Sequence, residues 1–253
     1  MNKIIEDLIL RKPHLADPLR FYEKVMRFMD GAKDFARPHQ PGLVAYPSGL
    51  AAKVTANLSA ALDLPEGALS PLQQALELGE IDFTRLPLGE VPAFSLPYAE
   101  DDLTMLLFLV SKPYFLAKHD ACGLDERMWE EGKCPVCDAR PSLSSFSGEG
   151  RRKLHCSFCG TVGHVPRVQC PACLTTDPEK LNTYTFAGEE GFSVMACDSC
   201  KAYVKTVEAD LLSTVGPDLA DLLSLPLDIV MQQKGFKRRS PNPLGMVKMT
   251  VSG

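Results

Sequence analysis

The chain has 253 residues, of which 45% are hydrophobic and 23% charged, and its formal net charge is −5. This composition is that of an ordinary soluble protein, and the length allows one large domain or two modest ones. The densest apolar run, Met105 to Val110, is far shorter than the ~20 residues that a membrane-spanning helix needs. These features argue against a membrane protein.

The first ten residues, MNKIIEDLIL, carry no visible secretory signal. Glu6 and Asp7 interrupt their apolar stretch, and no small-residue cleavage site follows. We therefore expect a cytoplasmic protein. In a reducing compartment, clustered cysteines are more often metal ligands than disulfides.

Residues 1–125 are predicted to form a helical domain. Asp17-Pro18 and Ser70-Pro71 each place an N-cap acceptor before a proline, which is the signature of a helix start. A further helix, apolar nearly all round, is expected over Leu103–Val110. Pro113 is expected to end or kink that helix, because proline lacks the backbone N–H that a helix uses.

Eight of the nine cysteines form four Cys-x-x-Cys pairs within 67 residues. Each pair is a tight turn that brings two sulfurs to one side, and two such turns held face to face form a closed tetrahedral four-sulfur site. A closed site leaves no position for water or substrate, so it is structural or electron-transferring rather than hydrolytic. The ninth, Cys122, is interpreted as a free cysteine. The paired cysteines are Cys134, Cys137, Cys156, Cys159, Cys170, Cys173, Cys197 and Cys200.

The cysteine pairs belong to an internal repeat, and each copy is predicted to be a Cys-x-x-Cys knuckle, a β-hairpin and a second knuckle. The centre of each hairpin is Gly-rich, as a tight turn requires. Because each hairpin would then close its own site, the first four cysteines are predicted to bind one metal ion and the last four another. The matching positions are Phe146, Gly148 and Gly150 in the first copy, and Phe186, Gly188 and Gly191 in the second.

The metal in each site is either iron or zinc, because four-sulfur tetrahedral geometry suits both. His155 and His164 stand beside the cysteines and are interpreted as neighbours of the ligands. The acidic residues are interpreted as solvated helix faces. No phosphate loop, nucleophile elbow or spaced carboxylate motif is present, so we predict that the chain is not an enzyme and has no catalytic residue.

A zinc-ribbon protein that binds nucleic acid is one alternative, since Arg151, Arg152 and Lys153 form a small basic patch beside the first hairpin. Residues 134–203 nevertheless carry seven basic and seven acidic residues, and a nucleic-acid module is usually basic. Nucleic acid is therefore the weaker interpretation. A rubredoxin-type electron carrier is the other alternative, and it requires iron in at least one site.

The chain resembles the formate dehydrogenase formation (accessory) protein family, FdhE. The resemblance covers about Cys134 to Leu244 and combines the four knuckles with the linker from His164 to Val168 and the Tyr203-Val-Lys205 strand. One departure is Gly163, where the family would have an aromatic residue.

The resemblance implies an α+β fold with an N-terminal helical domain, two tandem rubredoxin-like or zinc-ribbon modules and C-terminal helices. The predicted boundaries are 1–125, 126–166, 167–210 and 211–253, the last part ending in a mobile tail from Ser240. It also implies a cytoplasmic factor that binds the catalytic subunit of respiratory formate dehydrogenase during assembly, with the eight cysteines as ligands of two metal ions.

The surface that would recognise this partner is predicted only weakly. The candidates are basic residues in the linker between the modules and in the C-terminal stretch, and a homodimer is compatible with the sequence. These candidate residues are Arg167, Lys237, Arg238 and Arg239.

Overall fold

The computed structural model describes residues 3–36, 49–89, 96–147 and 150–248. The chain divides into two compact units, Met1–Gly123 and Leu124–Gly253. Among the described residues, no helix combines the length and the apolar character needed to cross a membrane.

The first unit is helical. Its second helix contacts the third and the fifth, and Leu19, Phe28 and Leu58 lie fully buried. Of the two outcomes expected at Pro113, an end or a kink, the end does not occur, because the fifth helix continues past the buried proline to Cys122. The helices are α1 (Lys3–Arg11), α2 (Ala16–Ala36), α3 (Leu50–Leu62), α4 (Ser70–Glu77) and α5 (Glu100–Cys122).

The second unit is built on one seven-stranded sheet, which holds both copies of the repeat. The strands follow the order β1-β4-β3-β2-β7-β6-β5. β2, β3 and β4 form an antiparallel meander, as do β5, β6 and β7, and a parallel pairing of β2 with β7 joins the two. The strands are β1 (Arg127–Met128), β2 (Leu143–Phe146), β3 (Arg152–His155), β4 (Val162–Val165), β5 (Leu181–Tyr184), β6 (Phe192–Cys197) and β7 (Tyr203–Val207).

The hairpin turns use glycine where the backbone needs a positive φ. Gly150, Gly188 and Gly191 have φ values of 74°, 83° and 84°, which side chains with a Cβ rarely adopt. Gly148 lies outside the described residues. Knuckle, hairpin and knuckle therefore follow one another in each copy, and a third strand completes each copy. The predicted α+β fold class is confirmed.

Two helices follow the sheet, α6 (Ala209–Leu223) and α7 (Leu225–Gln233). A break at Gly216, whose φ is 76°, divides α6 directly before Pro217. Leu222 and Leu227 are buried, as the apolar spacing of these helices indicates.

The same helices also bury charge, which corrects the interpretation of their acidic residues as solvated. Lys205 of β7 contacts Asp221 of α6 and Asp228 of α7, both at 2.6 Å, and all three side chains are almost fully buried. Arg238 contacts the same two carboxylates. Burial opposes ionisation of Asp228, yet the two cations lower its pKa. We call Lys205, Asp221, Asp228 and Arg238 the buried charge network.

The segment after α7 packs against the second unit instead of forming a tail that is mobile from Ser240. Ser240, Asn242 and Leu244 are buried, and the Ser240 hydroxyl lies 2.9 Å from that of Ser157. Residues within 240–244 thus have buried positions and buried polar partners in the segment for which a mobile tail is predicted.

Candidate metal centres

All four Cys-x-x-Cys turns have the same backbone structure. The first cysteine of each turn accepts a hydrogen bond from the N–H four residues later and donates its own N–H to the carbonyl five residues later, at 2.8–3.1 Å. The residue four positions on has a positive φ in every turn, although only one of the four is glycine. These residues are Asp138, Gly160, Leu174 and Lys201.

The first group of sulfurs comes from Cys134, Cys137, Cys156 and Cys159. The Cys134–Cys159 and Cys137–Cys156 sulfur distances are 3.4 Å, and all four atoms lie within 4.8 Å of one another. A metal–sulfur distance of about 2.3 Å in a tetrahedral site corresponds to sulfur–sulfur distances of about 3.8 Å. The group therefore has the size and donor set of a four-thiolate metal site.

The second group comes from Cys170, Cys173, Cys197 and Cys200. The Cys170–Cys200 and Cys173–Cys197 sulfur distances are both 3.7 Å. The Ala172 N–H points at the Cys170 sulfur, 3.4 Å away, a contact that offsets thiolate charge. This group also matches a tetrahedral site, and the grouping follows chain order, as the hairpin repeat predicts.

The two groups differ in exposure. All four cysteines of the first group are buried, whereas Cys173 of the second is exposed and Cys200 is half-buried. Burial raises the pKa of Cys137 and of Cys156 in the first group, because a thiolate is poorly solvated there. A metal ion must displace these protons, so metal binding at the first site releases protons as the site forms.

Neither predicted neighbouring histidine belongs to a sulfur group. His155 is buried with its Nε2 atom 2.9 Å from the Ser145 hydroxyl, and burial lowers the pKa of His155 to about 4. The His164 Nε2 atom lies 2.8 Å from the Glu126 carboxylate. Both histidines therefore support the strands around the first group without joining it.

The four basic residues predicted as weak partner contacts differ in their surroundings and in their exposure. The Arg167 guanidinium stacks over the Phe146 ring, 5.4 Å from its centre, and Lys237 is exposed. Arg239 is exposed and donates to the Cys200 carbonyl at 3.1 Å. The structure contradicts the prediction for Arg238. This residue is buried in the charge network, where Asp221 and Asp228 neutralise it, so it is not part of an accessible surface.

The basic patch of Arg151, Arg152 and Lys153 is not present as a surface. β3 alternates its side chains between the two faces of the sheet, so Arg152 is only 2% exposed while Arg151 is exposed. Lys153 pairs with Glu126 at 2.7 Å. The sequence analysis missed the buried position of Arg152, which strand alternation between Arg151 and Leu154 could have indicated.

The glycine at position 163 has a structural reason. A Cβ atom on Gly163 would lie 2.3 Å from the Trp129 ring and 2.4 Å from the Arg127 carbonyl oxygen. Trp129, only 3% exposed, therefore occupies the space beside β4 that a side chain at 163 would need. An aromatic ring is present at this place, but it comes from a different part of the chain.

Comparison with known proteins gives consistent results. Residues 168–244 match the family model described as "FdhE, C-terminal domain". A protein FdhE homolog of Aquifex aeolicus is 28% identical over 178 residues, which are 68% of this chain and 60% of the relative. The protein FdhE of Escherichia coli O1:K1 is 36% identical over 114 residues, which are 44% of this chain and 36% of the relative.

One solved structure has the same fold. The crystal structure of the FdhE protein from Pseudomonas aeruginosa superposes with a TM-score of 0.68 and 21% sequence identity, covering 95% of this chain and 92% of that one. By contrast, the aligned stretch spans from about a third to three fifths of the length of these two curated relatives. The resemblance inferred from the cysteine knuckles and the linker is confirmed.

Proposed function

Since residues 168–244 match the FdhE C-terminal domain and the chain is similar to FdhE proteins, we propose that it is a cytoplasmic accessory factor that binds the catalytic subunit of formate dehydrogenase during maturation. The chain would carry two tetrathiolate metal ions and no catalytic residue. The observation that supports this most directly is the gathering of eight cysteines into two tetrahedral groups. A closed four-sulfur site holds its metal with no free coordination position, so it suits a binding platform better than a hydrolase.

The metal ions are the first part of the proposal to test. Purification without oxygen, followed by metal analysis and a visible absorption spectrum, should give two equivalents of iron, of zinc or of one of each. Iron in a four-thiolate site is coloured, whereas zinc is colourless because its d shell is full. A folded protein with less than one metal ion per chain would contradict the proposal.

Binding to the catalytic subunit is the second part. A tagged catalytic subunit of formate dehydrogenase from the same organism should retain this chain in an anaerobic co-purification. Lys237 is exposed beside the second sulfur group, so Lys237→Glu should weaken retention. Lys53→Glu is the matched control, since Lys53 is exposed on α3 of the other unit. Absence of retention by a fully metallated wild-type chain would contradict this part alone.

An electron-transfer role for the second site is a further candidate, favoured by the exposure of Cys173. A thiolate ligand at the surface shortens the path between a bound iron ion and a partner. This role requires iron and a reversible one-electron couple, which voltammetry of the purified protein measures. A protein that contains only zinc would rule it out and leave the binding role standing.

A further inference from the structure

Three arginines lie beside the second sulfur group, and each donates a hydrogen bond to a main-chain carbonyl at or next to Cys170 or Cys200. Arg152 donates to the carbonyl of Gln169 at 3.0 Å, and Arg140 donates to that of Pro171 at 3.0 Å. Gln169 and Pro171 flank Cys170 in the sequence. Arg239 donates to the carbonyl of Cys200 itself, at 3.1 Å.

Arg152 is the most unusual of the three because it is buried and, among the residues that the structure describes, pairs with no carboxylate. Its other contacts within the described part of the chain are the Met195 sulfur at 3.1 Å and the Ser144 hydroxyl at 3.5 Å. Burial lowers the pKa of Arg152 to about 10, and the negative charge of Cys170 acts in the opposite direction. Arg152 thus remains a cation at neutral pH, and a buried cation needs a compensating anion.

The anion that fits this position is the loaded metal site. Four thiolates around a divalent ion carry a net charge of −2, and this charge lies close to the protonated Arg152. We propose that Arg152, assisted by Arg239 and Arg140, is the fixed counter-charge of the second metal site and sets the affinity of that site for its metal. This inference rests on the proposed metal sites.

The first sulfur group has different surroundings. The Cys159 sulfur lies 3.0 Å from the hydroxyl of Thr161, which is a neutral group. Arg140 also reaches the carbonyls of Glu131 and Gly132 near the first knuckle, so it is shared between the two sites. Arg152 and Arg239 donate to carbonyls of the second site, so these two residues can distinguish the sites.

Arg152 also links the two copies of the repeat. It lies on β3 of the first copy, yet its guanidinium bonds to the residue that precedes the first cysteine of the second site. The position in the second copy that matches Arg152 is Ser193, counted back from the third cysteine of each site, so the repeat supplies no such cation to the first site. Loading of the second site therefore depends on a side chain from the first module.

The test uses the full chain loaded with ¹¹³Cd²⁺, which occupies four-thiolate sites and gives one NMR resonance per site. Correlations to the cysteine β-protons assign each resonance. A chelator titration of Arg152→Met should remove the second-site resonance at roughly 10-fold lower chelator concentration, the lower end of typical effects for groups that support metal ligands. The first-site resonance should persist as in the wild type.

Three further variants separate charge from packing. Arg152→Lys should restore most of the affinity, Arg239→Gln should weaken the second site to a smaller extent, and Arg151→Gln should change neither site. If Arg152→Met fails to fold, the chelator titration of Arg239→Gln still tests the proposal, because Arg239 is exposed. Equal weakening of both sites, or an unchanged second site in both Arg152→Met and Arg239→Gln, would overturn the proposal. A wild-type chain with no ¹¹³Cd resonance would instead refute the metal sites themselves.

Discussion

The two halves of the sheet have the same chain path but different surroundings. Each half consists of two knuckles, a hairpin and a third strand, and each gathers four sulfurs to tetrahedral distances. The first group is buried and shares Arg140 with the second, whereas the second is partly exposed and has Arg152 and Arg239 beside it as well. The local sequence of a knuckle therefore determines where its sulfurs lie, while the exposure and charge around each site also depend on residues far along the chain.

The largest expected difference follows from removing one ligand of each group. Cys156→Ser should abolish metal binding at the first site. The second unit should then no longer fold cooperatively. Structural zinc contributes on the order of 10–16 kcal/mol in small modules, as much as a whole domain usually has. Cys173→Ser should lose only the second metal, because the buried charge network still holds β7 against α6 and α7.

Metal content and far-UV circular dichroism measure both effects. Cys122→Ser is the matched control, since Cys122 is exposed and lies outside both groups. An equal loss of structure in Cys156→Ser and Cys173→Ser would contradict the distinction between a structural first site and an accessible second one.

A smaller effect is expected from the buried charge network around Lys205 in β7. The equivalent position in the first copy is His164 in β4. Lys205 relies on the buried Asp228, so Asp228→Ala leaves Lys205 and Arg238 with one carboxylate between them. We expect a loss of about 3–5 kcal/mol in the free energy of unfolding, measured by urea denaturation. Asp198→Ala, which removes an exposed partner of Lys201, is the control and should have little effect. Similar losses in both variants would argue against the network.

The next expected effect concerns Gly163, whose equivalent in the second copy is Val204. Gly163→Ala places a Cβ against Trp129 and the Arg127 carbonyl, and overpacking of this kind costs about 1–3 kcal/mol. Trp129 is the one tryptophan in the sequence, so its fluorescence reports the displacement directly. Unchanged fluorescence and unchanged stability would show that this close packing is unimportant.

The smallest effect is expected at Glu126, the partner of His164. A hydrogen bond from Lys153 lowers the pKa of Glu126, with His164 contributing. A lowered carboxyl pKa gives stability that is present above the ordinary value of about 4.3 and is lost as the pH falls through the folded pKa. Melting temperatures of Glu126→Gln and wild type should therefore differ slightly at pH 7 and converge in acid. A difference that stays constant with pH would contradict this account.

The sequence was sufficient for the sulfur groups because each ligand pair is set by a local turn. Spacing and the Gly-rich hairpins were enough to assign the four cysteines of each site in chain order. At Pro113 the local sequence left both an end and a kink of α5 open, and the helix continues because packing of α5 overrides the tendency of proline to end it.

Burial of charge was not predictable from local sequence. Arg238 and Asp228 look like ordinary surface residues, and their burial depends on Lys205, more than 20 residues away from either of them in the chain. From the sequence, Arg152 likewise looks like part of a surface patch, because its buried contacts come from residues distant in the chain. Local sequence shows which residues are charged, but only the assembled fold shows which opposite charge is within reach.

The parallel pairing of β2 with β7 has a consequence for the way the second unit forms. Hairpins within each copy close short loops, whereas Leu143 meets Lys205 only after the entire second copy has been made. Closing that long loop costs more chain entropy than closing any single hairpin. During synthesis, the first copy can fold before the second. The edge of β2 that pairs with β7 then stays unpaired until Val207, the last residue of β7, has been synthesised. A loss of metal from either copy before this pairing forms would leave the β2 edge exposed to other chains.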